Sequence, residues 1–267
     1  MLNRLRTLFK PATAERPPAS VPAGERYYVV GDIHGRLDLF EALIAAIEAQ
    51  EAVLSPADTT MVLLGDLVDR GPDSAGVIDR AMAWAAARRV RCIAGNHEEM
   101  FLRSFDDVGT LRHFLRYGGR ETILSYGLDQ GRYEGFDLQE LQDVMCDLVP
   151  AHHRAFLEGL EDIIVAGDYL FVHAGVDPDR SIEEQKTGDL RWIRERFLDS
   201  DKAFSHVVIH GHTIFDDVDD AGTRIGIDTG AYATGRLTAL VLEGAEKHCL
   251  QAVDRNGEIA VERQALP

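Results

Sequence analysis

Cysteine is scarce, and the three that occur, Cys92, Cys146 and Cys249, are odd in number and far apart. That argues against a disulfide framework and against a thiolate metal site. They fit a reducing compartment, with each thiol read as buried filler. Basic residues are also few: 28 Lys and Arg stand against 45 Asp and Glu, a formal charge of −17. A surface this acidic repels nucleic-acid backbones, so nucleic acid is not an expected partner. A phosphate ligand would instead need a local positive focus of metal ions and arginines. No apolar run approaches the roughly 18 residues of a spanning helix. Arg4 and Arg6 interrupt the apolar positions of residues 1–9, so no secretory signal is expected. The chain reads as cytoplasmic, with no stable membrane association.

What is present is ordinary for a folded domain: 267 residues, 45% hydrophobic and 27% charged. Residues 1–24 read as a flexible basic, proline-rich tail, because Pro11, Pro17, Pro18 and Pro22 stop any helix begun by Leu2, Leu5 and Leu8. Residues 25–267 read as one domain. From Tyr27 to Cys92, β-rich runs alternate with helical periods such as Leu37, Phe40, Leu43, Ile44 and Ile47. That is a βαβαβ beginning, whose second helix opens at Pro72-Asp73-Ser74. Helical periods then fill about 100–160 and suggest a cap over the strand ends. After Leu160 come further strands at 163–165, 169–172, 207–209, 223–228, 237–242 and 248–253, with one helical stretch near 190–198. Many late strands suggest a second sheet packed on the first.

Three apolar runs end alike. Tyr27-Tyr28-Val29-Val30 enters Gly31-Asp32-Ile33-His34-Gly35, Met61-Val62-Leu63-Leu64 enters Gly65-Asp66-Leu67-Val68-Asp69-Arg70-Gly71, and Val90-Arg91-Cys92-Ile93-Ala94 enters Gly95-Asn96-His97-Glu98. In open α/β sheets functional groups sit at the carboxyl ends of strands. Two later runs end in His173-Ala174-Gly175 and His210-Gly211-His212-Thr213. Together these give Asp32, His34, Asp66, Asp69, Asn96, His97, His173 and His212. A set of Asp, Asn and His without Cys suits manganese, iron, zinc or cobalt. It suffices for two divalent ions if one carboxylate bridges, and Asp66 is central. Such a pair can activate water and hold a phosphoryl oxygen. Arg70 would then neutralise developing charge, His97 would protonate the leaving oxygen, and Asp69 would orient His97.

The three blocks resemble the signature of the phosphoprotein phosphatase family of binuclear metallophosphoesterases, over residues 26–243. The resemblance implies an α/β fold, a calcineurin-like β-sandwich flanked by helices with a helical cap insertion. It implies that Asp32, His34 and Asp66 hold one ion, and that Asp66, Asn96, His173 and His212 hold the other, most often manganese. It further implies attack on phosphorus by a metal-bridging hydroxide, with His97 and Asp69 catalytic and Arg70 and Asn96 on the phosphate. The run Arg191-Trp192-Ile193-Arg194-Glu195-Arg196 is similar to the segment carrying a second phosphate-binding arginine. Arg194 matches best there, with Arg191 and Arg196 competing. Ala94 before Gly95, and Ile227-Asp228-Thr229-Gly230-Ala231, look bacterial or phage-like rather than eukaryotic.

The resemblance points first to a serine/threonine protein phosphatase, with a phosphorylated protein or small phosphoester as substrate. Symmetric dinucleoside polyphosphate hydrolases, which share Gly65-Asp66-Leu67-Val68, are the alternative. They usually lack a carboxylate at Asp69 and carry Asp at Glu98. A scaffold that binds phosphorylated partners without turnover is a minor third reading. His152 and His153 read as surface residues, Tyr232 as a loop aromatic, and Asp216-Asp217-Val218-Asp219-Asp220 as a solvated acidic turn.

Overall fold

The computed structural model describes residues 18–202 and 204–266. Strand β1 (Glu25–Val30), helix α1 (Leu37–Glu51), strand β2 (Asp58–Leu63), helix α2 (Ser74–Ala87) and strand β3 (Val90–Cys92) form the opening unit. Asp73 caps α2 by accepting the Gly76 N–H at 2.8 Å. The chain then runs through α3 (Asn96–Arg103), α4 (Val108–Phe114), α5 (Arg120–Ser125), α6 (Gln130–Gly135), α7 (Leu138–Leu148) and α8 (Ala151–Glu158), the helical stretch between about 100 and 160. Next come β4 (Ile164–Ala166), β5 (Tyr169–Phe171), α9 (Thr187–Trp192), α10 (Glu195–Leu198), β6 (Val207–His210), β7 (Asp219–Asp220) and β8 (Arg224–Gly226). Helix α11 (Ala231–Thr234) precedes β9 (Arg236–Glu243), β10 (Glu246–Arg255) and β11 (Glu258–Ala265).

Two sheets result, in the orders β11-β10-β9-β1-β2-β3 and β4-β5-β6-β8-β7. β1, β2 and β3 are parallel, as are β5, β6 and β8. From Tyr27 to Val30 β1 is buried on both faces, which is why that stretch reads as an unbroken apolar run. Tyr27 and Val29 pack with Val62, Phe171, Ile209 and Leu240 between the sheets. Tyr28 and Val30 pack with Phe40, Leu43, Val77 and Trp84 beneath α1 and α2. Each such side chain contributes about 1.5–3 kcal/mol on burial. A third cluster of Leu170, Val208, Leu190 and Phe197 seats α9 and α10 on the outside of the second sheet. The calcineurin-like sandwich with flanking helices is therefore present, and the parallel strands of both sheets lead into the loops that carry the site.

The details depart from expectation in several places. The helix expected near 190–198 is split, because Arg194 sits at φ −133°, ψ −107° between α9 and α10. β11 was not foreseen: it is an exposed edge strand in which Ile259 and Val261 alone pack inward. The acidic run at 216–220 is not simply solvated: it contains β7, with Asp219 paired to Arg224 and Asp220 to Lys247. Cys92 and Cys249 are buried, but Cys146 is exposed and all three thiols are free. Of the expected tail, residues 1–17 lie outside the described residues. Ser20 is bonded to the Asp168 carboxylate at 3.0 and 3.2 Å, and Val21 is buried with its N–H donated to the Gly244 carbonyl.

Candidate active site

The three loops after β1, β2 and β3 are tied to one another before any ligand is considered. His34 N–H donates to the Asp66 carbonyl at 2.8 Å and Gly35 N–H to the Leu67 carbonyl at 2.9 Å. Glu98, fully buried in the first turn of α3, accepts N–H groups of Asp66 (2.8 Å), Leu67 (2.7 Å), Val68 (3.3 Å) and Gly95 (2.9 Å). The loops approach so closely at Gly95 that a Cβ there would overlap the Asp66 carboxylate and backbone nitrogen. Six non-glycine residues have positive φ among those described, and five of them are His34, Asp66, Asp69, Arg70 and His212. Such conformations cost about 1–3 kcal/mol each and persist where the surroundings over-determine them. The sixth, Asn256, is in the turn between β10 and β11.

Two triads of possible ligands share Asp66: His34, Asp66 and His97, and Asp66, His173 and His212. Nε2 of His34 and His173 lie 3.5 and 3.4 Å from the Asp66 carboxylate. Each of these rings is fixed from behind by a backbone carbonyl on its Nδ1, Val68 at 2.7 Å and Leu64 at 2.8 Å. That places an N–H on Nδ1 and turns Nε2 inward toward Asp66, the arrangement metal-binding histidines use. Burial holds His34 well below its ordinary pKa. Burial, then the neighbouring His173, takes His212 down to about 2. Both imidazoles are thus neutral, as ligands must be. His212 Nε2 is buried without a hydrogen-bond partner. Burial would raise Asp66, but the neighbouring His173 and His97 outweigh it and hold the carboxylate well below its ordinary pKa. A buried Asp/His set with imidazole nitrogens turned inward, one of them unpartnered, fits divalent metal ions.

The remaining expected residues fall around this centre unevenly. Asn96 Oδ1 is 3.0 Å from His173 Nε2, so Asn96 joins the second triad. Asp32 stands outside both triads: its oxygens accept the His212 backbone N–H at 3.2 and 3.0 Å. The reason is local, since that N–H is buried and Asp32 is the acceptor that satisfies it. Asp69 Oδ2 is 2.6 Å from His97 Nδ1. Burial alone would lower His97, but Asp66 and Asp69 raise it. Arg70 reaches between the rings, Nη1 2.8 Å from His34 Nε2 and Nη2 2.9 Å from His97 Nε2. Arg194 donates to the His212 carbonyl and to Thr213 Oγ1, both at 3.2 Å. Its competitors are engaged elsewhere, Arg191 with Asp162 and Glu99, Arg196 with Asp177 and Asp179.

Four contributors escaped the sequence reading. Asp228, at the strand-like run after β8, is buried and raised to about 6, chiefly by that burial. Thr122 of α5 donates to Asp69 Oδ1 at 2.6 Å, a contact no local pattern announces. Gly118 does have a signal, the Gly118-Gly119 pair. It holds φ +110°, its carbonyl accepts the Arg70 N–H at 3.0 Å, and a Cβ would strike the Arg70 backbone. Tyr232 is not a mere loop aromatic. Its ring meets His34 edge-on at 5.3 Å and carries the Arg70 guanidinium 4.7 Å above its centre.

Residues 25–234 match the family described as calcineurin-like phosphoesterase. A symmetrical bis(5'-nucleosyl)-tetraphosphatase of Acidovorax sp. (strain JS42) is 36% identical over 157 residues, 59% of this chain and 46% of the relative. The matched part thus spans about half the length of that relative. Serine/threonine-protein phosphatase 2 of Escherichia coli (strain K12) is 27% identical over 79% of this chain and 90% of its own length. Among solved structures, a cold-active protein-tyrosine phosphatase of a psychrophilic Shewanella superposes with a TM-score of 0.55, covering 91% of this chain and 83% of that one at 17% identity. That likeness is one of fold.

Proposed function

Because the chain belongs to the calcineurin-like phosphoesterase family, and is a metallophosphoesterase-type hydrolase, we propose that it is a metal-dependent phosphomonoesterase acting on phosphoserine or phosphothreonine in proteins. The observation that supports this most is the pair of triads sharing Asp66, with the Asp69-His97 pair and Arg70 directly beside them. Two divalent ions held by Asp66, His34, His173, His212, Asn96 and Asp32 would supply polarisation of a phosphoryl oxygen and activation of water as the nucleophile. We take manganese as the first pair to test.

The protein's own groups divide the remaining work. Arg70, and Arg194 from the α9–α10 break, place guanidinium donors on the phosphoryl oxygens as charge builds in the in-line displacement. Arg70 leaves the His97 ring to make these bonds, which frees Nε2. Asp69 keeps the other N–H of His97 pinned, so Nε2 faces the leaving group and delivers its proton as the P–O bond breaks. No covalent enzyme intermediate is needed. The free, scattered thiols fit a cytoplasmic enzyme, and no helix among the described residues is long and apolar enough to cross a membrane.

The test is hydrolysis of para-nitrophenyl phosphate by chelator-stripped protein, with and without added manganese, beside Asp66→Asn. Activity that returns with metal in the wild type and not in the variant supports the reading. The 36% identical relative favours one second reading, hydrolysis of dinucleoside polyphosphates. A phosphopeptide and diadenosine tetraphosphate assayed side by side separate the two, and preference for the nucleotide overturns the first.

A further inference from the structure

On the cap side of the molecule, Asp79, His152 and His153 bring three donor atoms within 4.8 Å of one another. Asp79 projects from α2 and both histidines from α8. His153 is not the surface residue its sequence suggested: it is 2% exposed. Its Nε2 lies 2.9 Å from Asp79 Oδ1, and its Nδ1 lies 2.9 Å from the hydroxyl of Tyr126 at the end of α5. A histidine and a carboxylate alone would make an ion pair. Here a second, exposed imidazole, His152, meets the first edge-on at 4.6 Å between ring centres.

We propose that Asp79, His152 and His153 form a second metal site, distinct from the Asp66 centre, that takes a zinc-like divalent transition-metal ion. Two imidazoles and one carboxylate are the donors such ions prefer, with water completing four-coordination. Bonds of about 2.0–2.1 Å set tetrahedral donors about 3.3 Å apart. The His153–Asp79 pair is already close to that spacing. The exposed His152 side chain can rotate to close the rest. With Nε2 on the ion, the ring N–H of His153 sits on Nδ1 and donates to Tyr126 Oη, and any proton displaced from Nε2 passes to water. Burial raises the Tyr126 pKa, so the phenol stays neutral and can accept that bond. Tyr126 thus orients the ligand from behind, as the Val68 and Leu64 carbonyls do in the Asp66 centre. An ion here would staple α2, which follows the Asp69–Arg70 loop, to α8.

Zinc per chain is counted at saturation by equilibrium dialysis for the full-length wild type, His152→Ala and Asp79→Asn. Both replaced side chains are exposed and neither belongs to the machinery at Asp66. Each variant is expected to lose one zinc equivalent, to lose the zinc-dependent part of its melting temperature, and to keep its manganese-supported activity. A wild-type zinc count in either variant overturns the proposal. On the unsubstituted protein, copper added beyond the two equivalents that the Asp66 centre takes should broaden the ring-proton resonances of His152 and His153. Broadening confined to other histidines overturns it independently of any variant.

Discussion

Thr122→Val isolates one hydroxyl that bonds to Asp69, the partner of the proposed acid His97, and to Ser74 beside it. The single Thr122 proton goes to Asp69 Oδ1 at 2.6 Å, so Thr122 Oγ1 must accept the Asp69 N–H at 2.8 Å and the Ser74 hydroxyl at 2.9 Å. Valine keeps the shape and removes all three contacts. Asp69 N–H retains Ser74 Oγ at 3.0 Å, and Asp69 Oδ2 retains His97, but the carboxylate loses the bond that fixes its tilt. Losing a hydrogen bond to an ionised group costs about 1.5–3 kcal/mol of stability. At about 2–4 °C per kcal/mol for a domain of this size, the melting temperature should fall by several degrees while the fold survives. The catalytic effect should depend on the leaving group. Phenyl phosphate needs a proton on its departing oxygen, and there kcat should drop about 10- to 100-fold, below the roughly 10²–10⁴ that a whole general acid is worth. Para-nitrophenolate departs nearly unaided, so its kcat should change by less than about threefold. Thr122→Ser should restore both. Equal losses on the two substrates, or a serine variant as slow as valine, would refute the argument that Thr122 acts through Asp69 and His97.

Two further outcomes are expected. Glu98→Gln presents an amide NH₂ to backbone N–H donors of Asp66, Leu67, Val68 and Gly95, which should cost about 3 kcal/mol in urea unfolding and lower the metal retained per chain; an unchanged midpoint would mean that these bonds do not organise the loops. Glu51 is half-buried, which alone would raise its pKa, but hydrogen bonds from Thr59, Arg26 and Tyr28 bring it below the ordinary value. Its stabilising effect is therefore complete above the unfolded carboxyl pKa and is lost as pH falls through the folded one, so the stability gap between wild type and Glu51→Gln should shrink from pH 7 toward pH 4, and a pH-independent gap would contradict it.

How much of this was legible depended on where the information resides. The blocks around Asp32, Asp66 and Asn96 could be read because each is a local device: an apolar strand, a glycine, then a polar side chain at the strand end. Metal-competent residue types narrowed the chemistry, and the alternation of strands and helices narrowed the fold. What was missed is non-local. Thr122 is 53 positions from Asp69 and looks like any helical threonine until α5 packs over the loop. His153 and Asp79 are 74 positions apart, and two adjacent histidines in a polar helix carry no spacing that announces a partner. β11 failed for the opposite reason, since only Ile259 and Val261 pack inward, an alternation too short to announce the whole strand.

The placement of strain explains why the blocks work together. Five left-handed residues would be a liability if each loop had to hold its own shape, because each conformation is individually unfavourable. None does. The Asp66 carbonyl accepts from Ile33 and His34, Glu98 in the third block holds the second, and Gly118 in the cap holds Arg70. Because Glu98 accepts N–H groups of the second and third blocks, and the Asp66 and Leu67 carbonyls accept from the first, moving any of these three loops releases bonds in another, and His34, Asp66, Asp69 and Arg70 keep or lose their strained conformations as a set. The ligand side chains therefore need little reorganisation to meet a ligand, which is the condition under which a charged site stabilises a transition state rather than relaxing around the substrate. The cap is part of that set through Gly118 and Thr122. It follows that a change in the cap that shifts α5 by even a fraction of an ångström should reach His97 through Asp69 and should alter turnover before it alters binding.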